Sequence, residues 1–199
     1  MKIGILGGSF DPPHIGHLLI AEQVREVLSL DRIWLLPNFN HAFGKVQTNA
    51  EYRLQMAKFL ENEYIKSSDH EIKKKGTSYT IDSLKDFKIQ YPGDQIFWIL
   101  GSDQLESFHN YKDWREIVKK HSMIIFPRES VISELKEKTK KALKLKTIPI
   151  SIKVLQDKDL ILTNISSSII RERVKKGLSI KYLVPEKIEE YIKKHKLYI

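Results

Sequence analysis

The sequence predicts an α/β protein built on a doubly wound parallel sheet, with helices at the C-terminal end. Two observations predict it. Short apolar runs stop abruptly at Gly or Pro, and between them lie stretches whose apolar residues recur at helical spacing. Strands separated by helices wind into a parallel sheet covered on both faces.

Lys2 to Leu6 is the first strand, apolar and β-branched, ended by Gly7-Gly8. Ile15, Leu18, Leu19, Val24, Val27 and Leu28 mark the helix after it, with charges between them. Arg32 to Leu36 is the second strand, stopped by Pro37, and Ala50 to Leu60 is helical through Tyr52, Met56, Phe59 and Leu60. Thr80 to Tyr91 is a helix halted by Pro92-Gly93. Gln95 to Leu100 is a strand ending at Gly101, Ser122 to Phe126 another ending at Pro127, and Pro149 to Leu155 the last. Ser167 to Lys175 and Pro185 to Lys194 are the C-terminal helices. The pattern is Rossmann-like, a single domain over 1–199 with 166–199 as a C-terminal helical part. There is no internal repeat, and the lysine-rich stretch from Ser130 to Thr147 is the one candidate insertion.

The chain has 199 residues, 41% hydrophobic and 30% charged, with no cysteine. Those fractions describe a globular protein rather than a disordered one. Without cysteine, disulfide scaffolds, zinc ribbons and thiol catalysis are excluded. The apolar run Ile3 to Leu6 is too short for a signal-peptide core, and no stretch approaches the ~20 apolar residues of a membrane span. A cytoplasmic protein with no membrane partner is expected. The net charge is +9, and residues 1–100 hold 12 basic and 12 acidic groups, so residues 101–199 carry all of the excess. A basic half attracts nucleic acid or a phosphorylated small molecule. Solvated lysine-rich helices give the same balance, and neither Glu134 to Lys146 nor Lys187 to Lys196 interleaves aromatics with charge as single-strand binders do. No nucleic-acid partner is expected; a homo-oligomer is compatible with the sequence.

In such a sheet, ligands bind beyond the carboxyl ends of the strands. The segment after the first strand, Gly7-Gly8-Ser9-Phe10-Asp11-Pro12-Pro13-His14-Ile15-Gly16-His17, is the most informative. Two glycines allow a sharp turn and a close approach to a ligand. Exposed amides and the positive end of the following helix make a phosphate cradle. His14 and His17 share one face of the first helical turn. A capping or core role fits either histidine alone, but the pair beside a glycine turn points to phosphate. Neither a P-loop nor the dinucleotide glycine pattern is present.

The run Gly8 to His17 resembles the signature of the nucleotidyltransferase superfamily that carries a His-x-Gly-His motif, and Ser167-Ser168-Ile169-Ile170-Arg171 resembles its Ser-Ser/Thr-x-x-Arg signature. Gly76-Thr77-Ser78-Tyr79-Thr80 and Trp98-Ile99-Leu100-Gly101-Ser102-Asp103-Gln104 are similar to segments of the bacterial nicotinate-nucleotide adenylyltransferase branch. The resemblance implies adenylyl transfer from ATP to nicotinate mononucleotide, giving nicotinate adenine dinucleotide and pyrophosphate in NAD biosynthesis. It implies His17 and His14 as catalytic groups on the ATP phosphates, with the amides of Gly8, Ser9 and Phe10 beside them. Ser167, Ser168 and Arg171 fall on the β- and γ-phosphates, and Gly101 and Asp103 on the ribose groups. Ser9, Thr80, Asp103 and Trp114 fall on nicotinate mononucleotide, Trp114 stacking on the pyridine ring; Trp34 and Trp98 read as core. Mg²⁺ comes with the ATP phosphates, and no dedicated protein metal site is implied. The branch's Pro-Pro-His-Lys-like run is replaced here by Asn38 to Lys45. Lys45 is the residue expected to reach ATP, from a longer and more mobile lid, and His41 is a surface candidate.

Pantetheine-phosphate adenylyltransferase shares the first motif but lacks a Gly-Thr-Ser-Tyr-Thr-like segment. Class I aminoacyl-tRNA synthetases use His-Ile-Gly-His, yet 199 residues leave little room for an anticodon domain, and no Lys-Met-Ser-Lys-Ser follows. A basic nucleic-acid-binding module is the non-enzymatic alternative.

Overall fold

The computed structural model describes residues 1–128 and 132–199. Its elements in chain order are β1 (Lys2–Gly8), α1 (Ile15–Leu28), β2 (Arg32–Pro37), β3 (Asn40–His41), α2 (Ala50–Lys58), β4 (Ile65–Ser67), α3 (His70–Lys74), β5 (Thr77–Ser78), α4 (Thr80–Gln90) and β6 (Gln95–Gly101). They continue with α5 (Trp114–Lys120), β7 (Ser122–Phe126), α6 (Leu135–Ala142), β8 (Ile152–Val154), α7 (Ser167–Lys175) and α8 (Glu186–Lys194). Six strands form one sheet in the order β4-β2-β1-β6-β7-β8, and every pairing is parallel. Counting only those six, the order is 3-2-1-4-5-6, the Rossmann arrangement. The predicted fold class is therefore observed.

Burial on both faces explains the uninterrupted apolar runs. Along β6 and β7, Ile99, Ile124 and Phe126 face one core, which α1, α2, α7 and α8 cover with Ile20, Val24, Met56, Ile170 and Ile188. Trp98, Leu100, Met123 and Ile125 face the other, covered from α4 and α5 by Ile81, Leu84, Phe87 and Ile117. The helices at 166–199 thus complete the first core rather than lying outside it.

Two expectations change. The lysine-rich stretch is no insertion: within its described part, α6 is the crossover between β7 and β8, burying Leu135 and Thr139. Ser130 and Val131 lie outside the described residues. The last strand is shorter than Pro149 to Leu155, because only Ile152–Val154 pair with β7. The structure also adds β4 at the sheet edge and a small parallel ribbon of β3 with β5. No helix among the described residues is long and apolar enough to cross a membrane.

Gly7 sits where β1 passes against Trp98, and a Cβ there falls inside the van der Waals envelope of the buried indole. Gly7→Ala is expected to destabilise the fold by about 1–3 kcal/mol, the usual cost of overpacking a core. Gly93 has open space around it, so Gly93→Ala is the control and should move the denaturant midpoint little. The two midpoints measured side by side check the prediction.

Candidate functional site

The strand order reverses between β1 and β6, and a cleft of about 420 Å³ opens at their carboxyl ends. This is where a doubly wound sheet leaves room for a ligand. The cleft is lined by Gly8, Ser9, Phe10, His14, His17, Lys45, Thr80, Gly101, Asp103, Ser167, Ser168 and Arg171. Every residue the sequence nominated is brought together there except Trp114.

β1 ends at Gly8, and Phe10 follows in left-handed backbone (φ 51°). Its buried ring packs on His17 with centroids 4.7 Å apart. Strain of this kind concentrates where a site dictates backbone shape. His14 stands at the N-cap of α1, and its main-chain amide donates to Nδ1 of His17 at 3.1 Å. A neutral imidazole accepting at Nδ1 carries its proton on Nε2, so His17 keeps Nε2–H as a donor. The two rings lie 3.9 Å apart. Gly16 between them is obligatory in size, since a Cβ would sit 2.9 Å from Nδ1 of His14. That nitrogen is buried and has no hydrogen-bond partner within the protein, the kind of orphan a ligand site leaves. Burial first, then the Arg128 charge, lowers the His14 pKa to about 3. Burial, His14 and Arg128 hold His17 well below the usual histidine range. Both rings are neutral at physiological pH.

The second motif docks directly on the first. Ser167 donates its hydroxyl to the Pro12 carbonyl at 2.8 Å. Arg171 donates to the Asp11 carbonyl at 2.7 Å and to the Ser168 hydroxyl at 3.3 Å. Ser166 caps α7, its hydroxyl accepting the Ile169 amide at 3.3 Å. Ser167 and Ser168 are thereby left to face the cleft.

A buried arginine lies behind the cradle. Arg53, 1% exposed, donates to the carbonyls of Thr48, Ser9 and Phe39 at 2.7, 2.8 and 2.8 Å, and to Asn38 Oδ1 at 2.9 Å. The Phe39 amide donates to Ser78 Oγ at 3.0 Å, and β3 pairs with β5. The Asn38 to Lys45 segment, expected as a mobile lid, is therefore held at its base, and its exposed residues are Asn40 and Ala42 to Lys45. His41 is half-buried in the cleft wall rather than free on the surface. Glu71 lies in the same wall, accepting the Ser83 hydroxyl at 2.5 Å, and burial pushes its carboxyl up. Asp103 is exposed within a 3-10 turn, Ser102–Gln104, and is not its cap.

The cytidylyltransferase-like family profile matches residues 5–173. A probable nicotinate-nucleotide adenylyltransferase of Dictyoglomus turgidum is 39% identical over 100% of this chain and 96% of its own length. That of Exiguobacterium sibiricum is 38% identical over 100% and 99%. The chain belongs to the nicotinate-nucleotide adenylyltransferases of the cytidylyltransferase-like family. Among solved structures, the Plasmodium falciparum nicotinic acid mononucleotide adenylyltransferase complexed with NaAD has a TM-score of 0.78 at 21% identity, covering 99% of this chain and 97% of that one. The same enzyme complexed with APC gives 0.76 at 22% identity over 99% and 96%. These two share the fold.

Trp114 alone of the nominated residues stands apart from the cleft. The residue is 9% exposed, its ring packed in the second core under the Arg115 guanidinium, and it does not line the cleft. Asp113, just before it, takes left-handed backbone (φ 51°). Tyr111 lines the cleft with Phe10, Phe43, Tyr79 and Trp98, in edge contact with Phe43 at 5.6 Å, its hydroxyl donating to Gln104 at 2.6 Å. Burial and the Asp103 charge raise the Tyr111 pKa to about 12. Arg128 was also missed, although it follows β7 directly, at a strand's carboxyl end where the same rule points.

The depressed histidine gives a stability signature. Unfolded, His14 titrates near the ordinary histidine value of 6.5; folded, it resists protonation until about 3. Its favourable effect is complete above pH 6.5 and is lost as pH falls towards 3, because only the unfolded chain takes up the proton. Lowering pH from 6.5 to 4.5 should cost about 2 kcal/mol through this residue. The slope of urea stability against pH is expected to flatten in His14→Gln.

Proposed function

We propose that this protein transfers the adenylyl group of ATP to nicotinate mononucleotide, releasing pyrophosphate and giving nicotinate adenine dinucleotide, a step of NAD biosynthesis. The observation that carries the reading is the docking of Ser167 and Arg171 onto Asp11-Pro12, which sets both motifs around one cleft. Residues 1–199 act as one nucleotidyltransferase unit in this reading, with 166–199 supplying the far side of the ATP site. We place the reaction in the cytoplasm, where ATP is made and used.

A phosphate monoester has a second pKa near 6, so the acceptor is already anionic and needs no protein base. Its oxygen attacks the α-phosphorus; the bond from that phosphorus to the bridging oxygen breaks, and pyrophosphate leaves. The protein's task is positioning and charge stabilisation. His17 offers Nε2–H to the transferring phosphoryl group, with His14 beside it. The amides of Gly8, Ser9 and Phe10 cradle the phosphates, while Ser167, Ser168, Arg171, Lys45 and the missed Arg128 face the β- and γ-groups. Gly101 and Asp103 serve the riboses. Thr80 opens α4, whose positive end suits the nicotinate carboxylate. Ser9 lies between the two nucleotides, and Tyr111 takes the stacking role first given to Trp114. Among the described residues, no group of three or more His, Cys, Asp or Glu is arranged to hold a metal. The cleft's cations and hydroxyls fit a Mg²⁺ carried by phosphate oxygens and water. When bound, that ion neutralises charge on the leaving pyrophosphate.

Pyrophosphate release, assayed with nicotinate mononucleotide, nicotinamide mononucleotide and phosphopantetheine, tests the reading. Turnover is expected with the first. A clear preference for phosphopantetheine, or polyanion binding with no release at all, would sink it. His17→Ala should lower kcat roughly 100- to 1000-fold, the usual cost of one preorganised donor, with a far smaller effect on ATP affinity.

Tyr111→Ala separates recognition from chemistry. It is expected to raise KM for the pyridine nucleotide by about 5- to 150-fold, in line with 1–3 kcal/mol for stacking, and to leave KM for ATP nearly unchanged. Trp114→Ala should instead lower the melting temperature, so differential scanning calorimetry on both variants distinguishes the two aromatics.

A further inference from the structure

The segment after α8 returns to the phosphate cradle. Tyr198 adopts left-handed backbone (φ 66°) and its half-buried ring packs on the first core. The hydroxyl donates to Oδ1 of Asp11 at 2.8 Å. The other carboxylate oxygen, Oδ2, accepts the Thr48 amide at 3.1 Å. Asp11 is buried, 4% exposed, so each of its oxygens needs a donor from the protein. Two neutral donors supply that need. Arg171 is meanwhile bonded to the carbonyl of Asp11 and not to its carboxylate. The Arg171 charge lies near enough to act on the Tyr198 phenol, while burial and the Asp11 charge push that phenol up and keep it a donor.

We propose that Tyr198 is a positioning residue for ATP: by satisfying the Asp11 carboxylate, its hydroxyl keeps that carboxylate from capturing Arg171, which stays turned to the cleft. The inference rests on reading Arg171 as an ATP-phosphate contact. Without the hydroxyl, Oδ1 of Asp11 is a buried acceptor lacking its donor, and the Arg171 guanidinium is already at the neighbouring carbonyl. A short side-chain rotation pairs the two charges. Such a pair is stronger than the neutral bonds it replaces, and ATP must then break it to bind. The penalty falls on ATP affinity, not on the chemical step and not on the acceptor.

The test uses the full chain and the isosteric Tyr198→Phe, alone and in an Asp11→Asn background, where no charge remains to capture Arg171. ATP affinity is measured by calorimetry and turnover by pyrophosphate release. Tyr198→Phe alone is expected to weaken ATP binding roughly tenfold, the equivalent of ~1.4 kcal/mol, with kcat and KM for nicotinate mononucleotide within about twofold. In the Asp11→Asn background the same change should alter ATP affinity by less than about twofold, which a merely structural anchor would not predict. Unchanged ATP affinity in Tyr198→Phe, or equal weakening in both backgrounds, overturns the inference. Because ATP binding is read directly, a wild type that binds ATP but uses another acceptor overturns the proposed reaction and leaves the Tyr198 result standing. A wild type that binds no ATP overturns both.

Discussion

Arg53 carries a full positive charge with almost no access to water, and the rest of the site is arranged around making that tolerable. Its guanidinium is met by the carbonyls of Ser9, Phe39 and Thr48 and by Asn38. A planar fork holds several acceptors in one geometry, which a flexible ammonium would not. The consequence reaches the ligand side through the peptide unit itself. Carbonyl and amide of one trans peptide point in opposite directions, so drawing the Ser9 carbonyl towards Arg53 turns the Phe10 amide away from it. The same side chain therefore fixes the phosphate loop, the chain crossing after β2 and the start of α2.

The electrostatics follow from that crowding of positive groups. Arg128 faces the cleft and helps to keep both histidines neutral. Neutral imidazole donates a hydrogen bond without drawing in a counter-ion. Arg128 and Arg171 are held by oxygens of Ile165, Asp11 and Ser168 that carry no charge. Their charge is thus left available to a ligand. The lysines of α6, by contrast, sit on a crossover helix at the other side of the sheet, where Lys140 pairs with Glu137. The overall +9 and the local field of the cleft are separate matters.

Much of this was legible in the residues. Strong periodicity and firm stops placed α7 at Ser167–Lys175 and α4 within one residue at its end. The glycine turn and paired histidines located the cradle, because local chemistry alone requires them. What escaped was set by tertiary context. β4 is three residues long with one buried apolar side chain, too little for a period to form. Arg53 reads as a surface charge on a helix, and only the fold reveals that it faces inward. Trp114 is buried, and the left-handed backbone of Asp113 just before it is something sequence pattern does not encode. The lysine-rich stretch looked like an insertion because its apolar residues, Leu135 and Leu143 buried among them, are diluted by charge.

The contacts that close the cleft are among the most distant along the chain. Ser167, Arg171 and Tyr198 reach Asp11 and Pro12 across 155, 160 and 187 residues. During translation the first motif is made long before its partners, which emerge only after every strand of the sheet has been synthesised. At roughly 5–20 residues per second, the glycine loop and both histidines wait for about 8 to 37 seconds on the ribosome with one wall missing. Cellular ATP, though abundant, has no completed cradle to bind in that interval and lends the nascent chain none of the stabilisation a ligand gives a finished fold. The sheet has to hold itself together through its two hydrophobic faces until the last helices arrive.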